Sequence, residues 1–265
     1  MVVSFWPHPR NVLQQDADTL RLLTSLSEKR RLCLEAGVDR FEVLPFSRDF
    51  ARLTAEGFIR EYLKGRFNAE ALVLGHDHRL GCDPFDSPEA MAKTVRSAGV
   101  EPIFVDDEVT PEGRNVSSTL IRGLLYDGKV RDAETLLGYG YSLTGVVVAG
   151  AKVGRSIGFP TANMSLYEPL KLIPKGGVYI VRTDVLGRTY LGICNIGERP
   201  TLADGRGRTI ETHILDFDED IYGLDITVTF LERLRDERKF DSLKELSAQL
   251  KRDEEAARRF KSLAY

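Results

Sequence analysis

The pattern of the chain changes once, at Gly138-Tyr139-Gly140-Tyr141, and the change limits what it can fold into. Before it, strand and helix signals alternate. Val2 to Trp6 is apolar and β-prone, and Pro7 and Pro9 stop it. A helix is predicted from about Ser25 or Ser27 to Ala36, ended by Gly37, then a strand from Phe41 to Phe46. Thr54 to Lys64 reads as a helix and Ala71 to Leu74 as a short buried strand. Ser87-Pro88 opens a helix that Gly99 closes, and Pro102 to Val105 is a strand. Short helices follow over 118–126 and 130–137. Such alternation implies a parallel sheet with helices on both faces. After the change the signals are mostly strands: 143–149, 177–185, 189–196, 209–217 and 226–231. A last helix begins at an S-x-x-E capping box, Ser242 and Glu245, with Leu243, Leu246 and Leu250 at helical spacing. The expectation is an α/β doubly wound domain over residues 1–138 and an all-β barrel with a C-terminal helix over 142–265.

A length of 265 residues suits two domains of ordinary size. The net charge of −3 gives no basic footprint for nucleic acid or an anionic membrane. Three cysteines, Cys33, Cys82 and Cys194, lie far apart with no CxxC pair, which argues for a reducing compartment and against a zinc site. No apolar run approaches the ~20 residues of a membrane span, and MVVSFWPHPR does not read as a signal peptide, so a cytoplasmic location is expected.

The segment GAKVGRSIGFPTAN (150–163) carries the most chemistry. Gly150, Gly154 and Gly158 permit close backbone approach, and Lys152 and Arg155 add positive charge beside them, a combination suited to phosphates or to a plain turn. It is not a Walker loop: the glycine spacing is one residue short and arginine replaces the lysine. Pro160 stiffens the chain before Thr161 and Asn163. These two are hard oxygen ligands for a Mg²⁺ that keeps waters and phosphate oxygens; a local turn is the alternative. In TIETHILDFDEDIYG (209–223), strand alternation puts Glu211, His213 and Leu215 on one face and Ile210, Thr212 and Ile214 on the other, more core-like one. Glu211 is then a candidate general base or a solvated glutamate, and His213 reads as structural or surface.

With GVY (177–179), NIGERPT (195–201), ETHILDF (211–217) with DIYG (220–223), and RLRDERKFDSL (233–243) following in order, the chain resembles the bifunctional prokaryotic riboflavin kinase/FAD synthetases. The resemblance implies that the C-terminal half phosphorylates riboflavin to FMN with ATP and Mg²⁺. Glu211 would activate the ribityl 5′-hydroxyl, and Thr161 and Asn163 would place Mg²⁺ on the ATP phosphates. The stretch 150–158 and NIGERPT, including Asn195, would form loops over nucleotide and flavin, and Arg235, Arg238 and Phe240 a flavin-side segment. Phosphoryl transfer needs mainly positioning and charge neutralisation, which such a set provides.

The first half resembles the FAD synthetase (FMN adenylyltransferase) module through FWPHPR (5–10), FSRDFARLTAEGFI (46–59), LGHDHRLG (74–81) and VSSTLIR (116–122). By that resemblance Ser117, Ser118 and Thr119 would meet phosphate at a helix N-terminus, with Arg122 adding a cation; a simple N-cap is the alternative. His76 and His78 read as loop residues near that site. The family's first strand and its H-x-G-H-type motif do not occur in this sequence. A doubly wound sheet without its central first strand should have unpaired edges, and a missing phosphate donor should make FAD formation poor. Three functions follow: a kinase alone, a flavin- or nucleotide-binding module without turnover, or a fully bifunctional enzyme with a start upstream. Oligomeric state is not legible.

Overall fold

The computed structural model describes every residue except 14–19, 76–77, 151–153, 155–156, 199–206 and 264–265. It falls into two compact units, one of Met1–Leu20 with Thr24–Val116, the other of Arg21–Leu23 with Ser117–Tyr265.

In the first unit the expected strands form and pair in parallel. Strand β1 (Val2–Trp6) pairs with β2 (Phe41–Pro45), and β3 (Ala71–Gly75) with β4 (Glu101–Val105). They make two separate two-stranded sheets, so among the described residues each strand has one hydrogen-bonded neighbour. A short helix α1 (Pro9–Leu13) follows β1. Helix α2 (Leu26–Glu35) starts at a reciprocal box: Ser25 Oγ accepts from the Glu28 amide at 3.2 Å, and the Ser25 amide donates to Glu28 at 2.7 Å. Helix α3 (Ala55–Phe58) continues into a wider π-helical stretch over Ile59–Arg66, and α4 (Pro88–Ser97) is capped by Ser87. Leu44, Ile59, Leu74 and Val95 are fully buried in a common core. Around it Phe5, Phe46, Phe50, Phe58 and Tyr62 pack with ring centroids 5.2–6.1 Å apart. Each such side chain contributes about 1.5–3 kcal/mol through removal from water.

The second unit opens with α5 (Ser118–Tyr126) and α6 (Val130–Leu137). The strands that follow are β5 (Ser142–Val148), β6 (Ala162–Leu166), β7 (Gly177–Val185), β8 (Arg188–Glu198), β9 (Arg208–Ile214) and β10 (Asp225–Arg235). Among the described residues these six close an antiparallel barrel in the order β10–β5–β6–β9–β8–β7, which leaves no edge strand. Its interior holds Leu143, Tyr179, Val181, Cys194, Ile196 and Phe230, all 0% exposed, with Tyr179 and Phe230 edge to face at 5.1 Å. The last helix, α7 (Leu243–Leu263), is capped by Ser242, whose Oγ accepts from the Glu245 amide at 3.2 Å. Ala257 and Phe260 press it onto Val178, Ile180, Ile193 and Leu215. The outer face of β7 and β8 is thus covered by α7.

Strand β6 has no counterpart among the strand signals of the sequence. ANMSL has weak β-propensity, yet barrel closure pairs it with β5 on one side and β9 on the other. Strand β9 stops three residues short of the expected Phe217, because Asp216 takes a left-handed φ of 58°.

Candidate active site

Cross-strand register builds the site. Asn163 on β6 lies opposite Glu211 on β9, and Glu211 lies opposite Asn195 on β8. Directly opposed residues hold their Cβ atoms about 4.5–5.5 Å apart on one face. Two carboxamides therefore flank one carboxylate on the barrel exterior. Asn163 is 9% exposed; Glu211 and Asn195 are half-buried.

The glycines before this row have separate reasons. A Cβ on Gly150 would collide with the Asn163 carboxamide, so glycine lets the chain lie against that side chain. A Cβ on Gly154 would strike the Phe159 carbonyl, which also bears on the turn before Pro160. Gly158 has open space but a φ of +83°, which favours glycine. The close approaches at 150 and 154 are thus to the chain's own groups. Lys152 and Arg155 lie outside the described residues.

Thr161 precedes the first paired residue of β6 and lines a pocket of about 340 Å³. Its walls are Pro160, Ala162, Thr212, Ile214 and the loop Phe217–Tyr222. Ala162 and Thr212 are a cross-strand pair on the opposite pleat face from Asn163 and Glu211. The β6–β9 pair therefore separates a concave pocket from the polar row, with Thr161 at the lip. Among the described residues no group of three His, Cys, Asp or Glu side chains could cage a metal. The oxygens of Thr161 and Asn163 suit a hard cation that takes most of its ligands from water and phosphate.

Behind the row, Cys194 is buried in the barrel. Burial, opposed by the Thr212 hydroxyl and reinforced to a smaller extent by the Glu211 carboxylate, pushes its thiol up to about 12.

The flavin-side residues divide. Arg235 is engaged by α7: its Nη2 reaches Asp253 Oδ2 at 2.7 Å and its Nε reaches Oδ1 at 3.1 Å, with Asp253 4% exposed. Arg235 and Arg238 lie over the Phe240 ring, at 6.0 and 4.5 Å. Sequence reading missed Glu237, within the same segment. Its Oε1 is 3.5 Å from Asn195 Nδ2, and a Cβ on Gly197 would come within 2.7 Å of it. Only tertiary placement shows it, because nothing in RDERKF separates it from other surface charges.

In VSSTLIR, Ser117 caps α5, its Oγ accepting from the Leu120 amide at 3.2 Å. Ser118 and Thr119 are exposed in the first turn. Arg122 Nε donates to the Arg21 carbonyl at 2.9 Å. All of these residues belong to the barrel unit. The α/β unit carries its own cavity, of about 950 Å³, walled by Pro9, Phe46, Phe50, His78, Phe85 and Phe104 among others. Most of these follow the carboxyl ends of β1, β2 and β3, where open α/β sheets bind ligands. His76 lies outside the described residues.

The sequence pattern of the riboflavin kinase family matches residues 137–261, and that of the FAD synthetase family residues 1–120. The bifunctional riboflavin kinase/FMN adenylyltransferase of Escherichia coli K12 is 39% identical over 98% of this chain and 82% of its own length. That of Bacillus subtilis is 36% identical over 98% and 81%. A crystal structure described as a macrolide-efflux protein from Streptococcus pneumoniae aligns with a TM-score of 0.87 at 35% identity, over 97% of this chain and 82% of that one. Among the described residues no helix is long and apolar enough to cross a membrane. With two family patterns in order along the chain and relatives matched over nearly its whole length, this chain belongs to the bifunctional riboflavin kinase/FMN adenylyltransferase family.

Proposed function

We propose that the barrel transfers the terminal phosphate of Mg-ATP to the 5′-hydroxyl of riboflavin, giving FMN. The observation that carries this reading is the row Asn163–Glu211–Asn195, set by register beside a pocket that has Thr161 at its lip. The Glu211 carboxylate accepts the hydroxyl proton as the ribityl oxygen attacks phosphorus, and ADP leaves. Thr161 and Asn163 would hold Mg²⁺, which when bound neutralises charge on the phosphates. The concave pocket takes the nucleotide; Asn195, with Glu237 beside it, faces the polyol arm. Arg238 and Phe240 lie on the flavin side, and Arg235 acts there through its grip on Asp253. The binding-module reading is disfavoured because storage needs no base.

Adenylyl transfer to FMN is the second activity of the family, and the aromatic cavity of the α/β unit suits a planar ring system. Small-molecule substrates are the partners this implies, and the cytoplasm the location. Incubating the purified chain with riboflavin and Mg-ATP and separating the flavins tests all of this. FMN is expected; neither product would overturn the kinase assignment, and FMN without any FAD would remove adenylyl transfer from the first unit.

A further inference from the structure

His213 lies on β9 two residues after Glu211, outside any role given so far. Its Nδ1 is 2.8 Å from the Pro160 carbonyl oxygen. A carbonyl only accepts, so Nδ1 carries the hydrogen and the imidazole is the donor. The ring also meets Phe159 edge to face, with centroids 5.2 Å apart. One side chain of β9 thus grips two consecutive residues of the turn that leads into β6. The far end of that turn is held separately, by the Phe159 amide donating to the Gly154 carbonyl at 2.9 Å.

We propose that His213 is a positioning residue for phosphoryl transfer: it fixes the Pro160–Thr161 peptide, and with it the Thr161 hydroxyl at the lip of the nucleotide pocket. The carbonyl of Pro160 and the amide of Thr161 share one rigid plane. Holding that carbonyl sets the plane's rotation, turns the Thr161 N–H to the opposite side, and fixes where the Thr161 side chain begins. Proline at 160 has no N–H of its own, so its carbonyl is the group by which the backbone can be held there. Because His213 and Glu211 leave the same strand, the base and the Thr161 turn are referred to one rigid element. Small misplacements of a reacting group cost rate steeply, and a single hydrogen bond at such a point has leverage.

The inference rests on the riboflavin kinase reading, and the test separates the two. Wild type, His213→Ala, His213→Asn and His213→Gln are compared by FMN formation at varied Mg-ATP and varied riboflavin. Asparagine places an N–H near the position of Nδ1; glutamine places it a bond further out. His213→Ala should raise the KM for Mg-ATP and lower kcat, together reducing kcat/KM for Mg-ATP by about tenfold, the scale of one lost hydrogen bond. The KM for riboflavin should stay within about twofold. His213→Asn should recover most of the loss and His213→Gln little of it. General destabilisation would affect both amides alike, so equal behaviour of Asn and Gln overturns the positioning role, as does a parallel rise in both KM values. A wild type that makes no FMN would instead remove the kinase reading itself.

Discussion

In the barrel, Asn163, Glu211 and Asn195 are neighbours because three antiparallel strands are locked in register inside a closed sheet. In the α/β unit, the cavity walls come from segments that follow β1, β2 and β3, and the strands beneath form two separate pairs. On β3 and β4 the opposed Val73 and Ile103 remain 60% and 46% exposed, although parallel sheets are normally covered on both faces. The barrel has no edge to protect, and its candidate chemistry sits on rigid strands. The α/β unit carries its cavity on loops above open sheets. A closed register fixes side chains to within fractions of an ångström, whereas a loop-built cavity depends on everything that supports the loops.

That contrast can be broken by substitution. Glu211→Gln should have the largest effect, lowering kcat for FMN formation by roughly 10²–10⁴ with ATP affinity nearly unchanged. Wild-type turnover in that variant would remove Glu211 from the role of base. Leu74→Ala, deep in the α/β core, should cost about 3 kcal/mol of that unit's stability in urea titration. If the kinase chemistry belongs to the barrel alone, kcat for FMN should be unaltered below the unfolding transition; a proportional loss of FMN formation would dissolve the contrast. Asp253→Ala strips the partner from Arg235, whose side chain is 20% exposed, and should lower barrel stability by about 2 kcal/mol, less than a fully buried pair would lose. It should also weaken riboflavin binding more than ATP binding, measured as separate KM values, because Arg235 supports the flavin-side segment. Thiol labelling gives the smallest effect. The buried, poorly acidic Cys194 should resist alkylation in the folded protein at pH 8 while exposed Cys82 reacts. Mass mapping that found Cys194 modified would mean that the barrel opens.

Much of this fold is legible in the sequence, and the exceptions share a cause. Helices α5 and α6 fall at the expected residues because proline, glycine and apolar periodicity act locally. The capping serines at 25, 87 and 242 do as well. Strand β6 does not, since Ala162 to Leu166 becomes a strand only through its two partners in the barrel. The same holds for the site. Alternation separates Glu211 from Thr212, but that Asn163 lies directly opposite Glu211 depends on a pairing 48 positions away in sequence, beyond any local signal. Gly150 reads from the sequence as part of a phosphate loop or a plain turn, and the structure lays it against Asn163. Glu237 and His213 act through partners that no spacing rule links to them. Arg235 shows the converse: the family motif picks out the residue, and only the structure reveals Asp253 as its partner.

A crystal structure with riboflavin and a non-hydrolysable Mg-ATP analogue would test the central claim most directly. The account predicts the ribityl 5′-oxygen about 2.6–3.2 Å from the Glu211 carboxylate, with the metal on the Thr161 and Asn163 oxygens and the adenine ring of the nucleotide in the pocket beside Thr212. Riboflavin found with its 5′-oxygen out of reach of residue 211, or seated only in the aromatic cavity of the other unit, would contradict it.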